Sequence, residues 1–379
     1  MNNLTPCYVF SAERFAERIN LISESLPGVR LVYSMKANPF LLYCLPDRID
    51  MVEVCSPGEL SICEKLSIPG KKILYSGVVK GKEDILRALR LGAGYLTAES
   101  RGQFKLLKEA VEESGREASV LLRISSGNQF GMSREDFLTI LGEADKASRV
   151  KIEGIHLFSG TSKRRIKAIE KDLELIRDNL REARERFGFE PKIIEYGPGL
   201  GVNYFEKNLE ASENAERATL AEASKYLNEF AKEYPLSIEM GRFMAAPSGY
   251  YESHVVDLKT TDGVNYALLD GGMHHLNYYG QNMAMKIPVI EQSSKEKNAD
   301  IKTYCLCGSL CTTADVIVRE VELNELHTGD CLRFERTGAY SVTEAPALFL
   351  SRDLPEVCIE RDGKKELVRG HVHSFEVNC

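Results

Sequence analysis

VRLVYSMKANPF, residues 29–40, decides how the rest of the chain is read. It begins as a buried strand, apolar and β-branched, and then sets Lys36 at the strand's C-terminal end, three residues before Pro39. Burying an unpaired ammonium is expensive, so Lys36 reaches a partner, reaches water or does chemistry as a neutral amine. A lone lysine at a strand end is most often solvated, and only its surroundings can decide otherwise.

Seven runs of the same kind follow: MVEVCS (51–56), ILYSG (73–77), GYLTAES (94–100), ASVLLRIS (118–125), IEGIHLFSG (152–160), KIIEYGPG (192–199) and PLSIEMGR (235–242). Amphipathic segments such as EDILRALRLG and GQFKLLKEAVEESG lie between them, with apolar residues recurring at three and four. Strands alternating with helices build a parallel sheet, and eight such units over residues 29–245 predict an α/β fold closed into a (β/α)8 barrel. Beyond residue 245 the helical period disappears. Runs such as ESHVVDLKTT, IKTYCLCG and DCLRFERTG, separated by DG, GG and TG turns, predict a C-terminal all-β domain over 246–379. Residues 1–28 carry a strand pattern, PCYVF, expected to join that β-domain, and a helix, SAERFAERINLISESL. The polar stretch EKNLEASENAERATLAEAS (206–224) reads as an exposed helix or a mobile loop.

Hydrophobic residues make up 43% and charged residues 28% of the 379, as in soluble globular proteins, and no apolar run approaches the roughly 20 residues of a membrane span. The N-terminus has no basic, apolar, cleavable pattern, so a cytoplasmic protein with no membrane partner is expected. A net charge of -7 without a basic block argues against nucleic acid. The ten cysteines are scattered; Cys305, Cys307 and Cys311 have no second pair nearby, and no metal site is expected. A small molecule is the expected partner.

In such a barrel the chemistry lies at the C-terminal strand ends. Those ends carry Lys36, Glu53–Ser56, Ser76, Glu99, Arg123, His156 with Ser159, Gly197–Gly201, and Glu239 with Arg242. YGPGLG (196–201) lets backbone N–H groups approach an anion, phosphate above all, although it is neither a dinucleotide fingerprint nor a P-loop. Glu239 and Arg242 in EMGR read either as a local ion pair or as two tools, one holding a proton on a ring nitrogen and one orienting an acidic group. His156 is by itself a core histidine; on this rim it becomes a flat partner for a ring. A lysine, an anion cradle, a carboxylate and a histidine together suit pyridoxal 5'-phosphate.

At this point the sequence resembles the fold-type III pyridoxal phosphate decarboxylases, which include diaminopimelate, ornithine and carboxynorspermidine decarboxylases on an alanine racemase-like barrel. YSMKAN, EVCSPGEL, HLFSGT, EYGPGLG, EMGR, DGGMHH, CGSLCTTAD and GAY carry the resemblance, in order and along nearly the whole chain. It implies that Lys36 holds the cofactor as a Schiff base, His156 stacks on its face, Glu239 faces the pyridine nitrogen and Arg123 packs beneath it. Ser159, Gly197, Gly199 and Tyr340 bind the phosphate with the backbone around Gly241 and Arg242. Glu59 lies near Lys36. Cys311 returns a proton to the α-carbon from the neighbouring subunit of a homodimer whose β-domain, with Cys311 and Tyr340, completes the site.

Two departures bear on the substrate. Thr312 follows Cys311 where diamine-forming members carry an acid, so a distal ammonium is not expected; the arginine of diaminopimelate-type members is absent from DGGMHHLNYYG. Glu59, Arg242, His274, Tyr278, Cys311, Thr312, Asp315 and Arg352 are the expected substrate contacts, with the two arginines as grips for a carboxylate. Besides a free amino acid, the resemblance admits a carrier-protein-bound aminoacyl substrate, as well as a racemase or a non-catalytic pyridoxal phosphate-binding regulator. Glu239 argues against the racemase, which has arginine there.

Overall fold

In a computed structural model that describes residues 5–379 apart from 146, 164 and 294–299, all eight runs are strands of one closed parallel barrel. The chain enters through β1 (Cys7–Ser11) and α1 (Ala12–Ser25), which Ser11 caps by accepting a hydrogen bond from the Arg14 amide. The barrel is built from β2 (Arg30–Ser34), β3 (Met51–Val54), β4 (Ile73–Tyr75), β5 (Tyr95–Ala98), β6 (Ala118–Arg123), β7 (Val150–Phe158), β8 (Ile193–Gly197) and β9 (Leu236–Met240). Six connections carry helices: α2 (Pro57–Lys65), α3 (Lys82–Leu91), α4 (Arg101–Ser114), α5 (Arg134–Gly142), α6 (Ile166–Phe187) and α7 (Leu209–Glu233). The link from β2 to β3 is different. It is two short 3-10 turns, Met35–Ala37 and Pro39–Cys44, and Asn38 caps the second by accepting from the Phe40 amide at 3.0 Å.

The polar stretch 206–224 lies largely in α7 and is a packed helix: Leu220, Ala223, Leu227 and Phe230 form its buried face, and Glu216 is buried with them.

A nine-stranded sheet carries the rest of the chain, in the order β14 (Val316–Asn324), β13 (Ile301–Cys307), β11 (Val264–Leu269), β10 (Gly249–Thr261), β1, β16 (Glu356–Arg361), β17 (Lys364–Arg369), with β15 (Cys331–Glu335) pairing β10 and β12 (Ile290–Ser293). PCYVF therefore joins the C-terminal sheet, antiparallel to β10 and parallel to β16.

The barrel's interior has two chemically distinct halves. Val32, Met51, Leu74, Leu121 and Ile193, from five different strands, form a separate apolar cluster that plugs the N-terminal half. One residue pair further along, Ser34 stands in register with Glu53, and His156 with Glu195, so the C-terminal half is polar. Leu74→Ala should lower stability by about 2–5 kcal/mol, because the plug cannot close over the lost volume. Denaturant unfolding checks this, and a cost below about 0.5 kcal/mol would mean that the plug is loosely packed.

Candidate active site

Lys36 stands in the turn after β2, and β2 pairs with β3 on one side and β9 on the other. Those neighbours each bring a carboxylate, Glu53 and Glu239. Lys36 Nζ donates to Glu53 Oε1 and Oε2 at 3.1 and 2.8 Å and lies 3.5 Å from Cys55 Sγ. Glu53 also accepts from the Ser76 hydroxyl. Burial opposes the charge on Lys36, but Glu53 and Glu239 outweigh it and hold the ammonium well above the ordinary lysine range. Burial likewise opposes the charge on Glu53, and Lys36 overrides it, keeping that carboxyl well below the usual range. The lysine side chain is still 39% exposed, and what it is exposed to is a cavity of about 400 Å³.

That cavity collects Lys36, Gly199, Glu239, Gly241, Arg242 and Tyr340. A larger hollow, about 670 Å³, lies beside α1 and Leu42–Pro46, remote from these groups. Arg242 donates to Tyr204 Oη at 3.2 Å, and its guanidinium carbon lies 4.4 and 4.3 Å from the ring centres of Tyr279 and Tyr340. Gly199 has φ +60°, and a Cβ there would strike the Gly160 carbonyl; a Cβ on Gly241 would come within 2.9 Å of Ala37 Cβ. These glycines let neighbouring backbone segments pack closely at the cavity wall, where a side chain would force them apart.

His156 is buried on β7, with Nε2 3.2 Å from Glu239 Oε2, but the pair is not aligned as a hydrogen bond. Both its ring nitrogens and Glu239 Oε2 lack hydrogen-bond partners among the described residues. Arg123 ends β6 and is held by Glu99 at 2.7 Å and the Phe130 ring. Ser159 donates to Asp172 Oδ2 at 2.7 Å, as do Tyr196 at 2.8 Å and Lys163. Asp172, in α6, thus anchors the loop after β7, and nothing in its helical sequence context marks it for that task.

The C-terminal sheet reaches the same cavity from the same chain. Tyr340, φ +66°, donates its amide to the Ala37 carbonyl at 2.6 Å, and Asn38 Nδ2 donates to the Gly338 carbonyl at 2.9 Å. The expectation that Tyr340 crosses over from a neighbouring subunit is therefore corrected: its loop is clamped to the turn that carries its own Lys36.

Other expected site residues are placed elsewhere. Tyr278 is not a cavity residue: it is buried between Tyr204 and Phe205 and donates to the Glu335 carbonyl at 2.7 Å, while its neighbour Tyr279 takes the place by Arg242. Glu59 serves the start of α2, accepting from the Cys55 amide at 2.6 Å while its own amide donates to Ser56 Oγ, and burial raises its carboxyl. Cys311, Thr312, His274, Asp315 and Arg352 do not line this chain's cavity. Cys311 is exposed on the loop after β13. Asp315 is consumed by that loop, accepting from the amides of Met273 and Leu310 at 2.8 and 2.7 Å. Arg352 donates to the Ser309 carbonyl at 2.8 Å, two residues from Cys311. His274 is buried, which lowers its pKa and favours the neutral ring.

Residues with no sequence signal also surround the site. Lys80, buried after β4, donates to the Gly77 carbonyl and to Thr97 Oγ1 at 3.4 Å; burial brings its pKa down to about 8. Glu195, fully buried in β8, has both oxygens unpartnered among the described residues, and burial with Glu239 nearby pushes its pKa well up, which favours the protonated form.

A lysine and an anion cradle closed by two tyrosines at a barrel mouth define a cofactor-dependent enzyme of the pyridoxal class. The family model for the pyridoxal-dependent decarboxylases, in its pyridoxal binding domain, matches residues 12–246, and the chain belongs to that family of carbon–carbon lyases, whose cofactor is pyridoxal 5'-phosphate. It is 26% identical over 400 residues to the L-glutamyl-[BtrI acyl-carrier protein] decarboxylase of Niallia circulans, covering 96% of this chain and 91% of that one. It is 27% identical over 385 residues to the diaminopimelate decarboxylase of Aquifex aeolicus, covering 96% and 89%. The crystal structure of diaminopimelate decarboxylase from M. jannaschii with L-lysine shares the fold, with a TM-score of 0.85 at 23% identity over 98% and 91% of the two chains.

The cavity fits the cofactor. Arg242 gives the cavity a cation for an anionic group, and the buried, unpartnered polar atoms of His156 and Glu239 could be satisfied by a bound polar ring. If Lys36 is the group that takes up the cofactor, it must be neutral to attack the aldehyde, and the loading rate of the apoprotein should rise about tenfold per pH unit through neutrality. Glu53→Gln removes the main charge that raises Lys36 and should displace that profile to lower pH. Absorbance of the bound cofactor reads the rate, and an unshifted profile would remove Glu53 from this role.

Proposed function

We propose that the chain is an α-decarboxylase of an amino acid and that two copies share each active site. The observation that carries this reading is Glu239, a carboxylate beside Lys36 and against His156, where a racemase would place an arginine. Bound at Lys36, pyridoxal phosphate supplies an electron-withdrawing ring that accepts the electron pair left behind by carbon dioxide. The chain's own residues set up that chemistry. Glu239 keeps a proton on the ring nitrogen, His156 covers one face against water, and Arg123, tied by Glu99, supports the ring. Gly199, Arg242 and Tyr340 grip the phosphate. Glu53 holds Lys36 charged in the cofactor-free protein.

Protonation of the α-carbon is assigned to Cys311 of a second copy, since this thiol is exposed and lies outside its own chain's cavity. The loop that carries it displays Thr312, takes a hydrogen bond from Arg352 on its Ser309 carbonyl, and has its one carboxylate, Asp315, sequestered. Such a face favours a substrate with an anionic or carrier-linked distal end over one with a distal ammonium. The relative that acts on a carrier-bound glutamyl group is in keeping with this.

Carbon dioxide release from free dicarboxylic, diamino and neutral amino acids, and from a carrier-bound glutamyl group, tests the reading; turnover of none by cofactor-loaded protein would reject it. Lys36→Ala should abolish release, and Cys311→Ala should retain cofactor and lose most turnover. In a one-to-one mixture of the two inactive variants, about half of the dimers are mixed and each has one intact site, so about a quarter of wild-type activity should return. No recovery would place Cys311 in its own chain's site.

A further inference from the structure

A second cavity, about 190 Å³, lies between α1, α7 and the residues after β15. Its lining includes Arg14, Arg18, Arg217 and Arg336, with Glu17 and Glu213. Arg18 is 6% exposed and Arg336 1%, and both pair with one carboxylate, the fully buried Glu216. Glu216 is shared further, because its Oε1 also accepts from the Asn203 amide at 2.9 Å. Two buried guanidiniums on one carboxylate leave a positive charge uncompensated, and Arg18 Nη1 and Arg336 Nε have no hydrogen-bond partner among the described residues. Over the whole lining, with Glu216 and Glu335 counted, the charges balance, but the carboxylates that offset this one, Glu17 and Glu213, lie at the exposed rim, where water screens them from the buried pair. Arg14 is engaged by Glu335 at 2.8 Å, and Glu17, Glu213 and Arg217 stand exposed at the rim, without an ion pair among the described residues.

We propose that this cavity binds a small oxyanion, a carboxylate or a phosphate, on Arg18 and Arg336, and that the bound anion steadies the wall of the cofactor site. Three connections run from its floor to that wall. Arg336 precedes Tyr340 by four residues on the turn after β15. Asn203, held by Glu216, precedes Tyr204, the partner of Arg242. The Arg18 guanidinium lies 4.9 Å from the ring centre of Phe243, which lines the cofactor cavity. An anion that holds these groups in place binds the cofactor-loaded form more tightly, and by reciprocity slows cofactor loss.

The test uses holoenzyme, whose own phosphate subsite is filled. Calorimetric titration with inorganic phosphate and, separately, with succinate should show saturable binding of at least one, and the responding arm identifies the anion class. Arg18→Met should abolish binding. Arg217→Ala, at the exposed rim, leaves the fold intact and should weaken binding severalfold, which keeps the test decisive if Arg18→Met fails to fold. The anion should slow cofactor dissociation severalfold in wild type and less in Arg217→Ala. Absence of binding by either anion, or binding indifferent to both substitutions, overturns the site; binding that leaves cofactor dissociation unchanged overturns the coupling.

Discussion

On the proposed reading, the mouth of this barrel is arranged around one ammonium group that is charged while it waits and neutral when it reacts. Lys36 follows β2, and the two strands hydrogen-bonded to β2 supply Glu53 and Glu239. Barrel closure is what makes this possible, because β9 meets β2 only when the sheet joins on itself. The carboxylates make the buried charge tolerable and also set the kinetic barrier to using it.

The apolar plug of Val32, Met51, Leu74, Leu121 and Ile193 fills one half of the interior and leaves the other to polar groups. The C-terminal sheet then closes the mouth from one side. Gly338 and Tyr340 bond to Asn38 and Ala37 in the lysine's own turn, so the sheet and the barrel fix each other at the rim of the cavity. Cys311, on the far loop of the same sheet, stays exposed. On the proposed reading one domain thus serves two sites, its own through Tyr340 and a second copy's through Cys311.

The barrel was legible in sequence because eight apolar runs each end in polar residues, and Lys36, His156, Gly199, Glu239 and Arg242 stand at those ends. What was not legible depends on contacts between distant segments. Tyr278 and Tyr279 are identical in composition and adjacent, and only packing against Tyr204 and Phe205 decides that the first is core and the second faces the cavity. Asp172 and Glu216 read as solvated helix charges, yet each is buried at the hub of a polar cluster. Tyr340 belongs to its own chain's cavity because its amide reaches Ala37, a pairing that no local pattern encodes.

Another lysine near the same rim, this one buried, gives the sharpest test of the central assignment. Lys80, at about 8, loses its proton far more readily than Lys36, so protonation alone would favour it as the nucleophile. The account instead relies on geometry: the phosphate grip of Gly199, Arg242 and Tyr340 presents the aldehyde to Lys36. Borohydride reduction of the cofactor-loaded protein followed by peptide mass mapping decides between them. A single pyridoxyl adduct on Lys36 is the predicted result; an adduct on Lys80 would contradict the account.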